Sequence, residues 1–171
     1  MAVQFPRVLK NLNLFIDGRG YAGRVDEVTL PKLTVKTEEH RAGGMDLPVE
    51  LDMGMEKLEL SLVLSDFDPK VFRSFGLLNI VGLPVTIRGA FQAQGSAAVQ
   101  AVTVNLRGGW KEIDAGAWKA GDKSTLKLQS TASYYKLTVD GTDIVEIDAI
   151  NMLRVIDGVD QLALQRLAIG L

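Results

Sequence analysis

Gly18–Arg19–Gly20–Tyr21–Ala22–Gly23 is the first stretch of this chain whose residue types and spacing suggest chemistry. It matches G-x-G-x-x-G, the glycine turn that lets a backbone approach the pyrophosphate of a dinucleotide. That chemistry needs a helix N-terminus directly after the turn, aimed at the phosphate. Here the next residues, Arg24 to Leu30, carry Val25, Val28 and Thr29 and stop at Pro31, so a tight turn between strands is expected. Gly116 to Ser124, GAWKAGDKS, is a near match to a phosphate-binding loop. Asp122 intrudes beside Lys123 and puts a negative charge where phosphate oxygens would lie. A surface loop with Trp118 partly packed is the expectation there.

His40 is the only histidine, and its neighbours Glu38, Glu39 and Arg41 describe a solvated, charged segment. The absence of cysteine removes thiol nucleophiles, thiolate metal sites and disulfides. A metal held by one histidine would depend on clustered carboxylates. Asp143, Glu146 and Asp148 form no D-x-D pattern, and regular strand alternation puts Asp143 and Glu146 on opposite faces. These residues point away from an enzyme and toward a chain without cofactor or metal.

The elements that would position any site read as strands. Apolar residues recur with period two at Leu12, Leu14 and Ile16, at Leu33, Val35 and Thr37, and at Leu58, Leu60, Leu62 and Leu64. The same alternation continues at Val85, Ile87 and Phe91 and at Val102, Val104 and Leu106. Leu137 and Val139 lead into Asp140–Gly141, a favoured two-residue hairpin turn, and Val145, Ile147 and Ala149 return. At least seven short strands separated by turns predict a mainly β fold, a barrel or sandwich.

One flanking α-helix is expected, giving an α+β arrangement. Asp68 is the N-cap, Pro69 the first helical residue and Gly76 the left-handed stop. Phe67 and Phe72 have the spacing of a hydrophobic staple, and Val71, Phe72 and Phe75 form a stripe for the barrel wall.

The 171 residues, 47% apolar and 23% charged with net charge −2, fit one globular domain over residues 1–171. That balance supplies no basic footprint for gripping nucleic acid, so any passage of DNA would be passive. Met1 to Pro6 carry no signal-peptide pattern, and the longest apolar run, Phe75 to Val85, is broken by Gly76, Asn79, Gly82 and Pro84. A soluble chain made in the cytoplasm is expected.

Two segments do not read as ordinary loops. Residues 38–50, EEHRAGGMDLPVE, are too long for a hairpin turn and rich in glycine and charge. Residues 157–171 are leucine-rich, fit helix or strand spacing equally, and carry apolar residues that want a surface to sit on, their own body's or a neighbour's.

Three stretches together carry a family resemblance: PRVLKNLNLFIDGRGYAGRVDEVTLPKL, TEEHRAGGMDLPVELDMGMEKLE and DGTDIVEIDAINMLRVIDGVDQLALQRLAIGL. In order and extent the chain resembles the major tail tube proteins of contractile-tailed bacteriophages and R-type contractile bacteriocins. The resemblance implies a structural subunit of six-membered rings that stack into a hollow tube. Its implied partners are copies of itself, a sheath protein, baseplate and tail-terminator proteins and a tape-measure protein. It implies assembly in the host cytoplasm and residence in the tail of a virion or bacteriocin particle. The 38–50 loop becomes the inter-ring bridge, with Glu38, Glu39, His40, Arg41, Gly43, Gly44, Met45, Asp46 and Leu47 as its contact residues, and residues 157–171 a docking segment. Polar faces around Glu59, Ser61, Glu146 and Asp148 are candidate lumen walls, since basic walls would hold phosphates. The alternatives are a small-ligand-binding β-barrel, whose interior would hold an apolar molecule, and a flavin enzyme on a split barrel.

Overall fold

The computed structural model describes residues 5–76 and 82–171. The N-terminal reading of Met1 to Pro6 and the middle of the Phe75–Val85 run therefore fall largely outside the described residues. The strands, in chain order, are β1 (Arg7–Ile16), β2 (Arg19–Gly20), β3 (Val25–Thr29), β4 (Val35–His40), β5 (Val49–Met55) and β6 (Leu58–Leu64). After α1 (Pro69–Arg73) come β7 (Leu83–Ala93), β8 (Val99–Asp114), β9 (Leu126–Val139), β10 (Thr142–Asp148), β11 (Leu153–Ile156) and β12 (Val159–Asp160), then α2 (Ala163–Ile169).

Among the described residues the named strands pair antiparallel, and one isolated parallel bridge joins Phe75 to Trp110. The main sheet runs β12-β11-β10-β9-β8-β7-β1-β2, and β6 joins β9 while β3 joins β6. Strands β8 and β9 are long enough, 16 and 14 residues, to serve two layers. Their C- and N-terminal halves respectively pair alongside β6; their other halves continue into β7 and β10. The change of layer falls at a register shift between Arg107 and Gly108. A side chain at Gly108 would bring Cβ within 2.4 Å of the Thr131 carbonyl oxygen, so only glycine permits this approach.

The alternating leucines now have a physical destination. Leu58, Leu60, Leu62 and Leu64 of β6, with Leu126 and Leu128 of β9, bury against Leu14, Ile16, Val85, Ile87, Val104 and Leu106 of the other layer. Burial of such side chains stabilises by about 1.5–3 kcal/mol each. This packed interior is where the ligand-barrel reading would have placed its molecule; leucine, isoleucine and valine fill it. Asp140 and Gly141 both have positive φ, 48° and 85°, which makes the β9–β10 connection a type I′ hairpin.

The helix α1 begins as its cap residues dictate: Asp68 accepts a hydrogen bond from the Lys70 amide at 2.9 Å, and Pro69 opens the first turn. The Phe67 and Phe72 rings meet at 4.8 Å, completing the staple. Val71 is buried, but Phe75 is half exposed and stands outside the expected stripe. The helix also ends earlier than Gly76, at Ser74, whose hydroxyl is held by the Val71 carbonyl and receives the Trp110 indole N–H at 3.0 Å. A second helix, α2, occupies the C-terminal segment that fitted two periods. Among the described residues two helices therefore accompany the sheet rather than one.

Candidate functional site

Residues 38–50 are a loop only in part: 38–40 and 49–50 are strand, and residues 41–48 connect them. Strands β4 and β5 pair into a separate two-stranded ribbon in which Thr37 faces Asp52, Glu38 faces Leu51, Glu39 faces Glu50 and His40 faces Val49. Glu38, Glu39 and His40 are thus strand residues, and the true connection begins at Arg41. The tip closes locally: the Met45 amide donates to the Ala42 carbonyl at 3.2 Å, Arg41 Nε donates to the Met45 carbonyl at 3.3 Å, and Gly44 takes φ +88°. Gly43, Asp46 and Leu47 complete it, with Leu47 exposed. The register decides which expected contact residues share a face. Glu38 and His40 lie with Val49 and Leu51, whereas Glu39 lies opposite with Glu50.

Along this arm only Met55, at the base of β5, is partly buried, packed against the core of the body. Val35, Val49, Leu51 and Met53 are all exposed. Near its base the register slips between Val35 and Thr37, with Gly54 at φ +96°. Asp52 accepts the Gly54 amide and pairs with Arg154 of β11 at 2.8 Å, tying arm to body. The Arg154 hydrogen bond holds the Asp52 carboxyl below the usual carboxylate range.

A second candidate surface is the outer face of the layer formed by β1, β7, β8, β9 and β10. Three rows of cross-strand neighbours run over it: Arg88, Thr103, Thr138 and Asp143; Thr86, Asn105, Lys136 and Glu146; Pro84, Arg107, Tyr134 and Asp148. Asp143 and Glu146 therefore share a face, contrary to the regular alternation expected. The register shift between Asp143 and Val145 inserts one extra residue, Ile144, and one residue of slip reverses side-chain direction. The consequence is a closed charge network. Lys136 Nζ meets Asp143 at 2.7 Å, Thr138 donates to Asp143 at 2.7 Å, and the Tyr134 hydroxyl donates to Glu146 at 2.7 Å. The Asp143 hydrogen bond raises Lys136, and Lys136 lowers Asp143. Burial first, then Glu146, pushes the Tyr134 phenol up to about 12. Arg107 lies over the Tyr134 ring, 5.3 Å from its centre. Glu59 and Ser61, grouped with Glu146 and Asp148 in the sequence, sit instead on β6, the outer face of the other layer.

The remaining motifs are placed plainly. The glycine turn joins β1 to β2 and leads to β3; its Tyr21 is buried, with its hydroxyl donating to Asp68 at 2.8 Å. Burial, then that bond, pushes Tyr21 up to about 12. In the Gly116–Ser124 loop, Lys123 pairs with Asp26 at 2.7 Å, and Trp118 is mostly exposed with its ring edge on Phe67. Among the described residues, no group of His, Asp and Glu is placed to hold a metal, and no helix is long and apolar enough to cross a membrane.

A sandwich with a solvated arm, a polar outer sheet face and apolar residues left outside its core is the build of a subunit that finishes its burial in an assembly. The model of the phage tail tube protein FII family matches residues 6–170, and the chain belongs to that family. It is 38% identical over 169 residues to the tail tube protein of Escherichia phage P2, covering 97% of this chain and 98% of that protein. To the major tail tube protein of Serratia phage KSP20 it is 32% identical over 155 residues, 90% of this chain and 89% of that one. The fold is shared with the sheath/tube terminator of the PVC extracellular contractile injection system in its extended state, at TM-score 0.62 and 13% identity over 80% of this chain and 99% of that one. It is shared too with a chain of that system's sheath-tube complex, at TM-score 0.60 and 12% identity over 80% and 93%. The protein is a structural tail tube subunit and not an enzyme.

Proposed function

We propose that residues 1–171 act as one tail-tube unit that forms six-membered rings, stacked into the inner tube of a contractile tail. The observation that carries this reading is the β4–β5 arm, a ribbon whose Val35, Val49, Leu51 and Met53 stay exposed in their own chain, only Met55 at its base packing on the core. A two-stranded ribbon is marginal alone in water, so it gains its stability against another copy. The arm bridges to the next ring. Glu39 and Glu50 face each other across it, an arrangement that weakens a ladder unless a cation arrives from outside.

The outer face of the layer carrying Lys136, Asp143 and Glu146 lines the lumen. Its cations are matched by carboxylates on the same face, so a polyanion such as DNA passes without being held. The opposite side of the subunit meets the sheath, and the tube's ends meet baseplate, terminator and tape-measure proteins. Assembly in the host cytoplasm, in a phage or bacteriocin particle, completes the proposal.

The test replaces Arg41 to Leu47 with an Asn–Gly turn. Body circular dichroism and melting should stay nearly unchanged, because shortening a loop changes closure entropy by about 0.6 kcal/mol per halving. Negative-stain images should show rings but no long tubes, and wild-type tube growth should weaken with salt. Normal tubes from the shortened variant would defeat the arm's assignment.

A further inference from the structure

A hollow of about 930 Å³ opens at the edge of the sandwich, between the arm base, β11 and α2. Its walls mix apolar residues, Met53, Met55, Met152 and Leu153 among them, with charged ones such as Asp52 and Lys57. Methionine side chains of this kind fit partners of irregular shape. Arg154 also lines it, and Arg154 Nε is buried without a hydrogen-bond partner among the described residues. That atom is closed off from any occupant, so what the groove offers a partner is apolar surface, with Met53 standing 53% exposed.

The same chain presents a ridge of that chemistry. The helix α2 is pinned through Arg166, which donates to the Met152 carbonyl at 2.9 Å and pairs with Asp160. With that side tied down, Leu164 and Leu167 stand 81% and 74% exposed, and no residue of the helix is buried. They are three residues apart and so share a face.

We propose that the α2 ridge of one copy seats in the Met53–Met152–Arg154 groove of its neighbour. Ridge and groove are different surfaces of the same chain, so the contact is head-to-tail and propagates into a ring or a stack rather than closing a two-fold dimer. The inference rests on the tube reading and adds to it the specific pair of surfaces that meet.

The chain contains no cysteine, which makes the contact directly testable. Leu167→Cys and Met53→Cys copies would be prepared separately, mixed, allowed to assemble and treated with a short bismaleimide. A cross-linked dimer should form in the mixture and be absent when either variant is treated with wild type alone. Leu164→Asp combined with Leu167→Asp should abolish assembly while circular dichroism stays native. Wild-type tubes with no cross-link in the mixture, or normal tubes from the double aspartate variant, would overturn the inference alone. Wild type that forms neither rings nor tubes at any concentration would instead overturn the tube reading itself. If the aspartate variant fails to fold, the cross-link still decides.

Discussion

Strands β5 and β6 are neighbours in sequence, share alternation of apolar with polar residues, and have opposite fates. In β6 each of Leu58, Leu60, Leu62 and Leu64 is buried between two layers. In β5, Val49, Leu51 and Met53 face solvent on a ribbon held to the body at its base, by the Asp52–Arg154 pair and the packing of Met55. Period two states that a strand has a sided surface; it does not state which molecule covers that side. Residues that fold this subunit and residues that join it to others therefore carry the same pattern, and only the topology separates them.

The largest effect should come from cutting the covered side. Leu62→Ala removes a fully buried side chain from the centre of the core, and such truncations destabilise by about 2–5 kcal/mol. Denaturant titration of the dissociated protein should show a lower midpoint with an unchanged slope. A change under 1 kcal/mol would mean that β6 is no more essential to the subunit than the arm is, and the contrast would fail.

A smaller effect, and one that depends on pH, is expected at the α1 junction that locks this core. Asp68 caps the helix and accepts the buried Tyr21 hydroxyl. Burial works to raise its pKa, but the Lys70 amide, Tyr21 and Arg24 together outweigh it and hold the carboxyl below its ordinary 3.8. A depressed folded-state pKa contributes stability that is present above the unfolded value and is lost as pH falls through the folded one. Asp68→Ala should lose about 1 kcal/mol for the cap, with more for the stranded Tyr21 hydroxyl. Asp68→Asn keeps a cap and an acceptor, so it should stay near wild type at neutral pH and show a shallower loss of stability below about pH 4. An acid limb as steep as wild type would place the acid sensitivity elsewhere, for example in Asp143 with Lys136.

Much of the body was legible in advance for physical reasons. The β6 leucines, the Phe67–Phe72 staple and the Asp140–Gly141 turn are local signals whose geometry leaves little choice. The first strand of the arm was legible at Val35 and Thr37, but β5 was missed although Val49, Leu51 and Met53 alternate with Glu50 and Asp52. The charged EEHRAGG run obscured a ribbon that has no core to bury in. The shared face of Asp143 and Glu146 was misjudged because one extra residue at Ile144 inverts a strand's parity, and nothing in the local composition announces a bulge. The segment after Asp157 kept two readings because both of its candidate faces lack a partner within the chain.

The smallest expected change in stability tests the contrast most sharply. Leu51→Ser removes an apolar side chain of the same size as Leu62, four positions beyond Leu47 on an exposed strand, facing Glu38. Because its surroundings are solvent in the isolated subunit, unfolding of dissociated protein should shift by no more than about 0.5 kcal/mol. Assembly should respond instead: if Leu51 is covered by another copy, the concentration needed to form tubes should rise by roughly an order of magnitude, since burying one such side chain is worth about 1.5–3 kcal/mol. Light scattering against protein concentration reads that threshold. A large loss of subunit stability would show the arm to be part of the fold, and an unchanged threshold would show its apolar face to be uncovered in the tube as well.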